Sequence, residues 1–328
     1  MPTAAQVKAL IRSHAEGDEQ RFYSIAIQVA AQAARQGHNR FAEELRDLID
    51  RAKVDGTHPS EGQRARPVPV VQPRGELAGL FTAVYPNTRL GEMALDRALR
   101  GRIDRVLTEQ RQRSHIQAHG LNPQRRLLLV GPPGTGKTMT AAALAGELSL
   151  PLFSIQLHSL ITKYLGETAA KLGLIFDAIR ETRAVYLFDE FDALGSDRAA
   201  KNEVGEIRRV LNSFLQFLEQ DESDSIIVAV TNHPGLLDRA LRRRFDAVIE
   251  YSLPKPEVAE QVLRSRLALL KTSRVNWKKV LSAAKGLSQA ELVRACEHAA
   301  KDAILAKRTS VETSELVAAL MQRRAAQA

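Results

Sequence analysis

One short stretch identifies the architecture of this 328-residue chain: Gly131-Pro132-Pro133-Gly134-Thr135-Gly136-Lys137-Thr138. It follows an apolar, strand-like run at 127–130 and precedes an expected helix over 139–148. Glycines at this spacing let the backbone wrap around phosphate groups with its N–H groups directed inward. Lys137 supplies a positive charge to the β- and γ-phosphates, the Thr138 hydroxyl can bind Mg²⁺, and the helix N-terminus favours an anion. We therefore assign the stretch, together with Met139, to a bound nucleotide.

The pattern around this stretch predicts an α/β fold. Strand-like runs alternate with helical segments, and they fall at 127–130, 152–155, 184–189, 226–231 and 247–253. This alternation is typical of a parallel sheet that is covered on both faces by helices. After Pro254 the strands stop, and four helices are expected near 256–270, 276–284, 288–307 and 312–323.

The same reading divides the chain into five parts. Three amphipathic segments predict a small N-terminal helical domain over 1–54, and a stretch rich in proline and glycine predicts a linker over 55–75. We expect a helical segment over 76–126, the α/β subdomain over 127–253 and a helical lid over 254–328.

Composition and charge exclude several classes of protein. The only cysteine, Cys296, cannot form a disulfide within the chain, and no apolar run approaches the roughly 18 residues of a membrane span. The N-terminus lacks a signal-peptide core, so we expect a cytoplasmic protein without a membrane segment. The net charge is +9, and residues 254–328 hold 14 Lys and Arg against 7 Asp and Glu. This surplus fits solvated helix faces, with affinity for nucleic acid as the alternative.

Two further strand ends carry polar residues that complement the phosphate loop. Asp189 and Glu190 follow an apolar run about 50 residues after the loop, and Asn232 follows the next strand. Asp189 would hold Mg²⁺, and Glu190 would orient and polarise the attacking water. Because ligands gather at the carboxyl ends of parallel strands, the Asn232 amide can hold the same water.

A cluster of three arginines, Arg242, Arg243 and Arg244, precedes the last predicted strand. Such a cluster usually forms a solvated basic turn. The alternative, which the other motifs favour, is that one or two of them reach the γ-phosphate bound by a neighbouring subunit.

Together these motifs resemble the module of AAA+ ATPases, and most of all the clade of FtsH, the proteasomal ATPases, katanin and spastin. The resemblance covers about residues 120–325. It implies a hexameric ring with MgATP sites between subunits, a sheet in the order 5-1-4-3-2 and a helical lid. It also implies that Arg243 and Arg244 are catalytic fingers acting in trans. The family usually separates its two arginines by Pro-Gly, so the part played by each member of the cluster stays open.

Another resemblance concerns the substrate. Lys163, Tyr164, Leu165 and Gly166 resemble the family's pore loop, in which an aromatic ring can grip an extended polypeptide through contact area. In the lid, residues 286–292 resemble the segment that approaches the nucleotide, whereas Arg294 lies past the position of the lid sensor of other clades.

The motifs favour an ATP-driven protein remodeller that threads polypeptide through a homo-oligomeric ring. The chain is also similar to bacterial AAA+ ATPases often encoded beside a subtilisin-like protease, which implies a separately encoded protease as partner. A nucleic-acid-linked AAA+ ATPase and a nucleotide-gated assembly switch are the alternatives, although a switch has no need for Glu190.

Overall fold

The computed structural model describes residues 25, 26, 29, 79–157, 165–191, 204–233, 235 and 239–326. The chain divides into two compact units, Met1–Val70 and Val71–Ala328. In the first unit, residues 25, 26 and 29 are helical, and Ala26 and Val29 are buried. The rest of the three predicted N-terminal helices and the predicted linker over 55–75 lie outside the described residues.

The second unit is built on a six-stranded sheet. Its strands are β1 (Phe81–Val84), β2 (Arg126–Val130), β3 (Leu152–Ile155), β4 (Val185–Phe188), β5 (Ile226–Thr231) and β6 (Ala247–Glu250). They lie in the order β1-β3-β4-β5-β2-β6, in which β1 runs antiparallel to β3 and the other five strands are parallel. When only the five parallel strands are numbered along the chain and the sheet is read from the β6 edge, their order is 5-1-4-3-2. The predicted fold class is therefore confirmed.

The additional strand β1 corrects one expectation, because it lies in the segment 76–126 that the sequence predicts as helical. Phe81 is buried and Thr82 is exposed, but this short run stands apart from the alternation of strands and helices that begins at residue 127. The strand exists because it pairs with β3 at the edge of the sheet. The rest of this segment forms a 3₁₀ turn (Leu90–Glu92) and two helices, α1 (Arg97–Arg111) and α2 (Arg113–Ala118).

Helices cover both faces of the sheet. They are α3 (Lys137–Leu148), α4 (Leu165–Glu181), α5 (Val204–Gln220) and the short α6 (Arg239–Arg242). Successive side chains of a strand point to opposite faces, and in β2 Leu127 belongs to one apolar core while Leu128 belongs to the other. The apolar runs are continuous because neither face of the central strands meets water.

The lid is a bundle of four helices with an apolar core of its own. They are α7 (Pro256–Arg266), α8 (Trp277–Ala284), α9 (Gln289–Leu305) and α10 (Thr313–Ala325). Their starts follow capping rules: the Asn276 and Ser288 side chains accept N–H groups from the first turns of α8 and α9, and Pro256 begins α7. Leu263, Leu292 and Cys296 lie among the residues that fill the lid core. The helical lid is thus confirmed as part of the fold.

Within the described part of the chain, none of the helices combines the length and apolar character that crossing a bilayer requires.

Candidate nucleotide-binding site

The phosphate loop connects β2 to α3, and its backbone requires glycine. Gly134 has a φ of +72°, in the left-handed region that favours glycine. A Cβ atom at this position would lie 2.6 Å from the Ser288 Oγ atom and 2.9 Å from the Ala290 Cβ atom. A side chain here would therefore separate the loop from the lid as well as strain the turn.

Lys137 places its ammonium group inside the loop. Its Nζ atom donates to the carbonyl oxygens of Gly131 and Pro132, both at 2.7 Å, and the residue is only 5% exposed. The Thr135 hydroxyl also donates to the Pro132 oxygen, at 2.8 Å, which holds the loop closed on itself. A buried positive charge at the start of a helix, enclosed by a turn of this kind, fits a phosphate group.

Thr138, the next residue of α3, meets the acidic end of β4. Its hydroxyl donates to Asp189 Oδ2 at 2.8 Å, and Asp189 Oδ1 accepts the backbone N–H of Glu190 at 2.9 Å. A hydroxyl and a carboxylate are oxygen ligands of the kind that Mg²⁺ takes beside phosphates and water. These two residues fit a magnesium ion that arrives with a triphosphate.

Glu190 adopts an unusual backbone conformation, with a φ of +52°. A residue other than glycine in the left-handed region costs about 1–3 kcal/mol, and such strain is typical of functional positions. Its side chain is exposed and lines the same cavity as Lys137, Thr138 and Asp189. Asn232, which follows β5, also lines it. Because β4 and β5 are parallel neighbours, their carboxyl ends bring these polar groups to one edge of the sheet.

The cavity has a volume of about 660 Å³ and four walls. The phosphate loop and α3 form one wall, and the ends of β4 and β5 form the second. The segment Gly91–Ala94 forms the third, and the lid contributes the fourth. The lid wall consists of Gln261, Val262, Ser265 and Arg266 of α7 and Gln289, Ala290, Val293, Arg294 and Glu297 of α9.

Two hydrogen bonds dock the lid onto the rest of the site. The Ala290 N–H donates to the Gly134 carbonyl at 3.0 Å, and the Gln289 side-chain amide donates to the Ala94 carbonyl at 2.9 Å. The segment 286–292 thus lies against the phosphate loop. Sequence reasoning missed the wall at Gly91–Ala94, for which the sequence offers no motif. Arg294, which the sequence places past the position of the lid sensor of other clades, lines the cavity from α9.

The arginine cluster lies elsewhere in the subunit. Arg242, Arg243 and Arg244 are not among the residues that line the cavity. Arg244 forms an ion pair with Glu219, in which the Nη1 and Oε2 atoms are 2.6 Å apart. The Arg242 Nη1 atom lies 3.5 Å from the Glu250 Oε1 atom, and the Arg243 residue is exposed.

The predicted pore loop is described only in part. Lys163 and Tyr164 lie outside the described residues. Leu165 and Gly166 form the first residues of α4, with their backbone described.

Comparisons with known proteins agree with this geometry. The sequence model of the "ATPase family associated with various cellular activities (AAA)" matches residues 127–253. An uncharacterized AAA family ATPase, y4kL of Sinorhizobium fredii, is 30% identical over 325 residues, which cover 98% of this chain and 96% of the relative. The proteasome-activating nucleotidase of Pyrococcus horikoshii is 30% identical over 294 residues, which cover 86% of this chain and 73% of that protein.

Two further proteins are similar over a smaller part. The ATP-dependent zinc metalloprotease FtsH 1 of Methylacidiphilum infernorum is 35% identical over 215 residues, which cover 63% of this chain but only 34% of the protease. The crystal structure of the FIGL-1 AAA domain has a TM-score of 0.59 and 23% identity, over 74% of this chain and 85% of that domain. At this identity the structural likeness shows the fold alone.

Proposed function

The chain belongs to the AAA family of ATPases, and on that basis we propose that it is a hexameric, Mg²⁺-dependent protein remodeller that draws polypeptide through a central pore. One observation carries the proposal. A single cavity gathers Lys137, Thr138, Asp189, Glu190 and Asn232, while Arg243 and Arg244 of the same chain lie outside it. The relatives named as a proteasome-activating nucleotidase and an ATP-dependent protease support protein as the substrate.

The residues of the cavity divide the work of ATP hydrolysis among them. Lys137 neutralises phosphate charge, and Thr138 and Asp189 would hold the Mg²⁺ ion, which neutralises charge between the β- and γ-phosphates. Glu190 accepts a proton from the attacking water, and the Asn232 amide orients that water. All of this is local to one subunit.

Arg243 and Arg244 complete the site of the next subunit in this proposal. An arginine beside the transferred phosphoryl group contributes about 10³–10⁵ in rate, so a site without one is slow. Arg266 and Arg294 line the cavity from the lid of the same chain, and Arg294 is paired there with Glu291. The exposed Arg243 is well placed for a neighbouring copy.

The pore loop provides the grip on the substrate. We assign the contact to Tyr164 and Leu165, flanked by Lys163 and Gly166, because a tyrosine ring buries a large area at low entropic cost. The printed sequence has no His-Glu-x-x-His pattern. We therefore propose that any degradation of the threaded protein is done by a separately encoded protease, with the cytoplasm as the place of action.

The structure offers little support for nucleic acid as the substrate. Three arginines along α1, Arg100, Arg105 and Arg111, each form an ion pair with a carboxylate of this chain, with Asp104, Glu109 and Glu147 respectively. The basic character of α1 is thus partly neutralised within the subunit. A pure assembly switch is also disfavoured, because it needs no carboxylate at the position of Glu190.

The threading proposal is tested with a fluorophore-labelled, permanently unfolded polypeptide as the probe. Its affinity is measured in ATP for the Glu190→Gln protein and for the same protein carrying Tyr164→Ala or Tyr164→Phe. We expect Tyr164→Phe to bind within about twofold of the parent and Tyr164→Ala to bind at least about tenfold more weakly, since the ring face is lost. Equal affinity of all three proteins would contradict a pore-loop grip but would not bear on the proposed roles of the cavity residues in ATP hydrolysis.

A further inference from the structure

Tyr251 contacts the start of the phosphate loop directly and is linked to the end of the loop through Thr140. It follows β6 directly and is the last buried residue before the connection at 252–255 that leads into the lid. Its backbone N–H donates to the Val130 carbonyl at 2.7 Å, at the entry to the loop. A Cβ atom at Gly131 would lie 2.3 Å from the Tyr251 carbonyl oxygen, so the first glycine of the loop packs directly on this main chain.

The side chain of Tyr251 reaches the other end of the loop through a threonine. Its hydroxyl lies 2.6 Å from the Thr140 Oγ1 atom, and Thr140 Oγ1 lies 3.0 Å from the Gly136 carbonyl oxygen. Thr140 is fully buried and Tyr251 is 5% exposed. Gly136 is the last residue of the loop before α3 begins at Lys137.

The direction of this chain of hydrogen bonds follows from the number of protons. A threonine hydroxyl has one hydrogen, and when Thr140 donates it to the Gly136 carbonyl, which can only accept, the Thr140 oxygen accepts from the Tyr251 hydroxyl. Burial raises the pKa of Tyr251 to about 12, so the phenol keeps this proton throughout the neutral range.

We infer that Tyr251 is a positioning residue of the ATP site, which fixes the first and last glycines of the phosphate loop relative to each other and to the strand that leads to the lid. A phenylalanine would fill the same apolar space, so the hydroxyl has a task that packing alone does not explain. Buried hydroxyl groups are costly unless they are hydrogen-bonded. The inference rests on ATP binding by the loop and does not depend on a pore.

Met93 connects Thr140 and Gly136 to another wall of the cavity, the segment Gly91–Ala94. Its Sδ atom lies 4.0 Å from Thr140 Oγ1, and its methyl group would lie 3.4 Å from a Cβ atom at Gly136. Thr140 thus meets three parts of the site: the end of the loop, the strand before the lid, and the segment Gly91–Ala94. A shift of the phosphate loop would have to disturb these contacts of Thr140.

The test compares three conservative variants, Thr140→Val, Thr140→Ser and Tyr251→Phe, by their KM for ATP, their kcat and their midpoint of thermal unfolding without nucleotide. Loss of one net hydrogen bond corresponds to roughly a two- to tenfold change. We expect Thr140→Val and Tyr251→Phe to raise KM by about that factor while kcat changes less than about twofold. Thr140→Ser keeps the oxygen and should stay within about twofold in KM.

The double variant Thr140→Val/Tyr251→Phe sharpens the test. Thr140→Val alone leaves the buried phenol without its acceptor, so adding Tyr251→Phe should not raise KM further. A wild-type KM in both Tyr251→Phe and Thr140→Val would overturn the inference, even if their thermal midpoints fall. A wild-type protein that hydrolyses no ATP would instead refute the ATPase activity, so the two failures are distinguishable.

Discussion

The sheet subdomain and the lid line the same cavity but contribute different kinds of residues to it. The sheet places Lys137, Thr138, Asp189, Glu190 and Asn232 there, all on the phosphate loop, on α3 or at the ends of parallel strands. The lid contributes one face each of α7 and α9, in which polar and apolar side chains are mixed. The residues proposed to carry the chemistry belong to one region, and the other region completes the lining of the cavity.

The two regions also differ in how they are held. The central strands are buried on both faces, so the groups at their ends have little freedom. The lid has its own apolar core, which Ala94 joins, and it meets the phosphate loop through the Ala290–Gly134 hydrogen bond, with Gln289 tied to Ala94. A rigid sheet edge combined with a lid that folds around its own core is the arrangement expected when binding and release require motion.

The sharpest contrast lies between two carboxylates of the cavity. Glu190→Gln removes the carboxylate proposed as proton acceptor at the sheet edge and should lower kcat by about 10²–10⁴ while ATP still binds. Glu297→Gln changes a carboxylate of the lid wall and should alter kcat less than about threefold. Steady-state turnover together with binding of a fluorescent ATP analogue checks both. Equal losses of kcat would place the chemistry in the lid as well.

Two cationic residues of the cavity provide the next contrast. Lys137→Ala removes a buried ammonium group and should weaken ATP binding by roughly ten- to hundredfold, the range of a hydrogen bond to a charged group. Arg294→Ala removes a side chain that is 60% exposed and paired with Glu291, and we expect an effect below about threefold. Calorimetric titration with ATP measures both. A larger effect at Arg294 would show that the lid binds phosphate.

A smaller effect is expected at the tie between the lid and the segment Gly91–Ala94. Gln289→Ala removes the hydrogen bond to the Ala94 carbonyl and should increase the dissociation rate of a fluorescent nucleotide roughly two- to tenfold. The exposed Gln322 of α10 is the matched control, because Gln322→Ala changes a lid amide that does not line the cavity. Identical dissociation rates for all three proteins would mean that this hydrogen bond does not hold the lid closed.

The last prediction concerns Cys296 in the lid core, far in kind from the chemistry of the cavity, and it is tested by thiol labelling and stability. Burial raises the pKa of its thiol from 9.0 to about 12, so at pH 8 the folded thiol is ionised about a thousandfold less than the unfolded one. A thiol reagent should therefore label the native protein at least about a hundredfold more slowly than the urea-unfolded chain. Because only the unfolded thiol ionises near pH 9, stability should fall as the pH rises from about 9 towards 12. Rapid labelling of the native protein would show that the lid core opens freely.

Much of the sheet subdomain could be predicted from the sequence because its function depends on local chemistry. The phosphate loop, the acidic pair after β4 and Asn232 each stand directly after an apolar strand, and the comparisons confirm the resemblance to AAA ATPases. Strand β1 was missed because it lies before the regular alternation of strands and helices that indicates the other short strands. Its existence depends on pairing with β3, which is distant in sequence.

The lid wall could be predicted only in part, for a different physical reason. Ala290, Val293, Arg294 and Glu297 follow one another at helical spacing, so they share one face of α9. That period is a signal which could have placed Arg294 beside the nucleotide segment 286–292. Tertiary packing, which no local pattern encodes, decides which residues of α7 face α9. It also decides which part of the segment before α1 approaches Gly136.

Whether each ATP is enclosed by two copies of the chain is tested most directly by mixing inactive subunits. Glu190→Gln damages the cavity, and Arg243→Ala/Arg244→Ala leaves the cavity residues intact but removes the arginines that are proposed to reach a neighbour. The mixture should regain ATP hydrolysis, because some interfaces combine an intact cavity with intact arginines. A mixture of Glu190→Gln with Lys137→Ala is the control, since both changes affect the same cavity and no interface is repaired. If the first mixture hydrolyses no more ATP than its separate components, the arginines do not act between subunits.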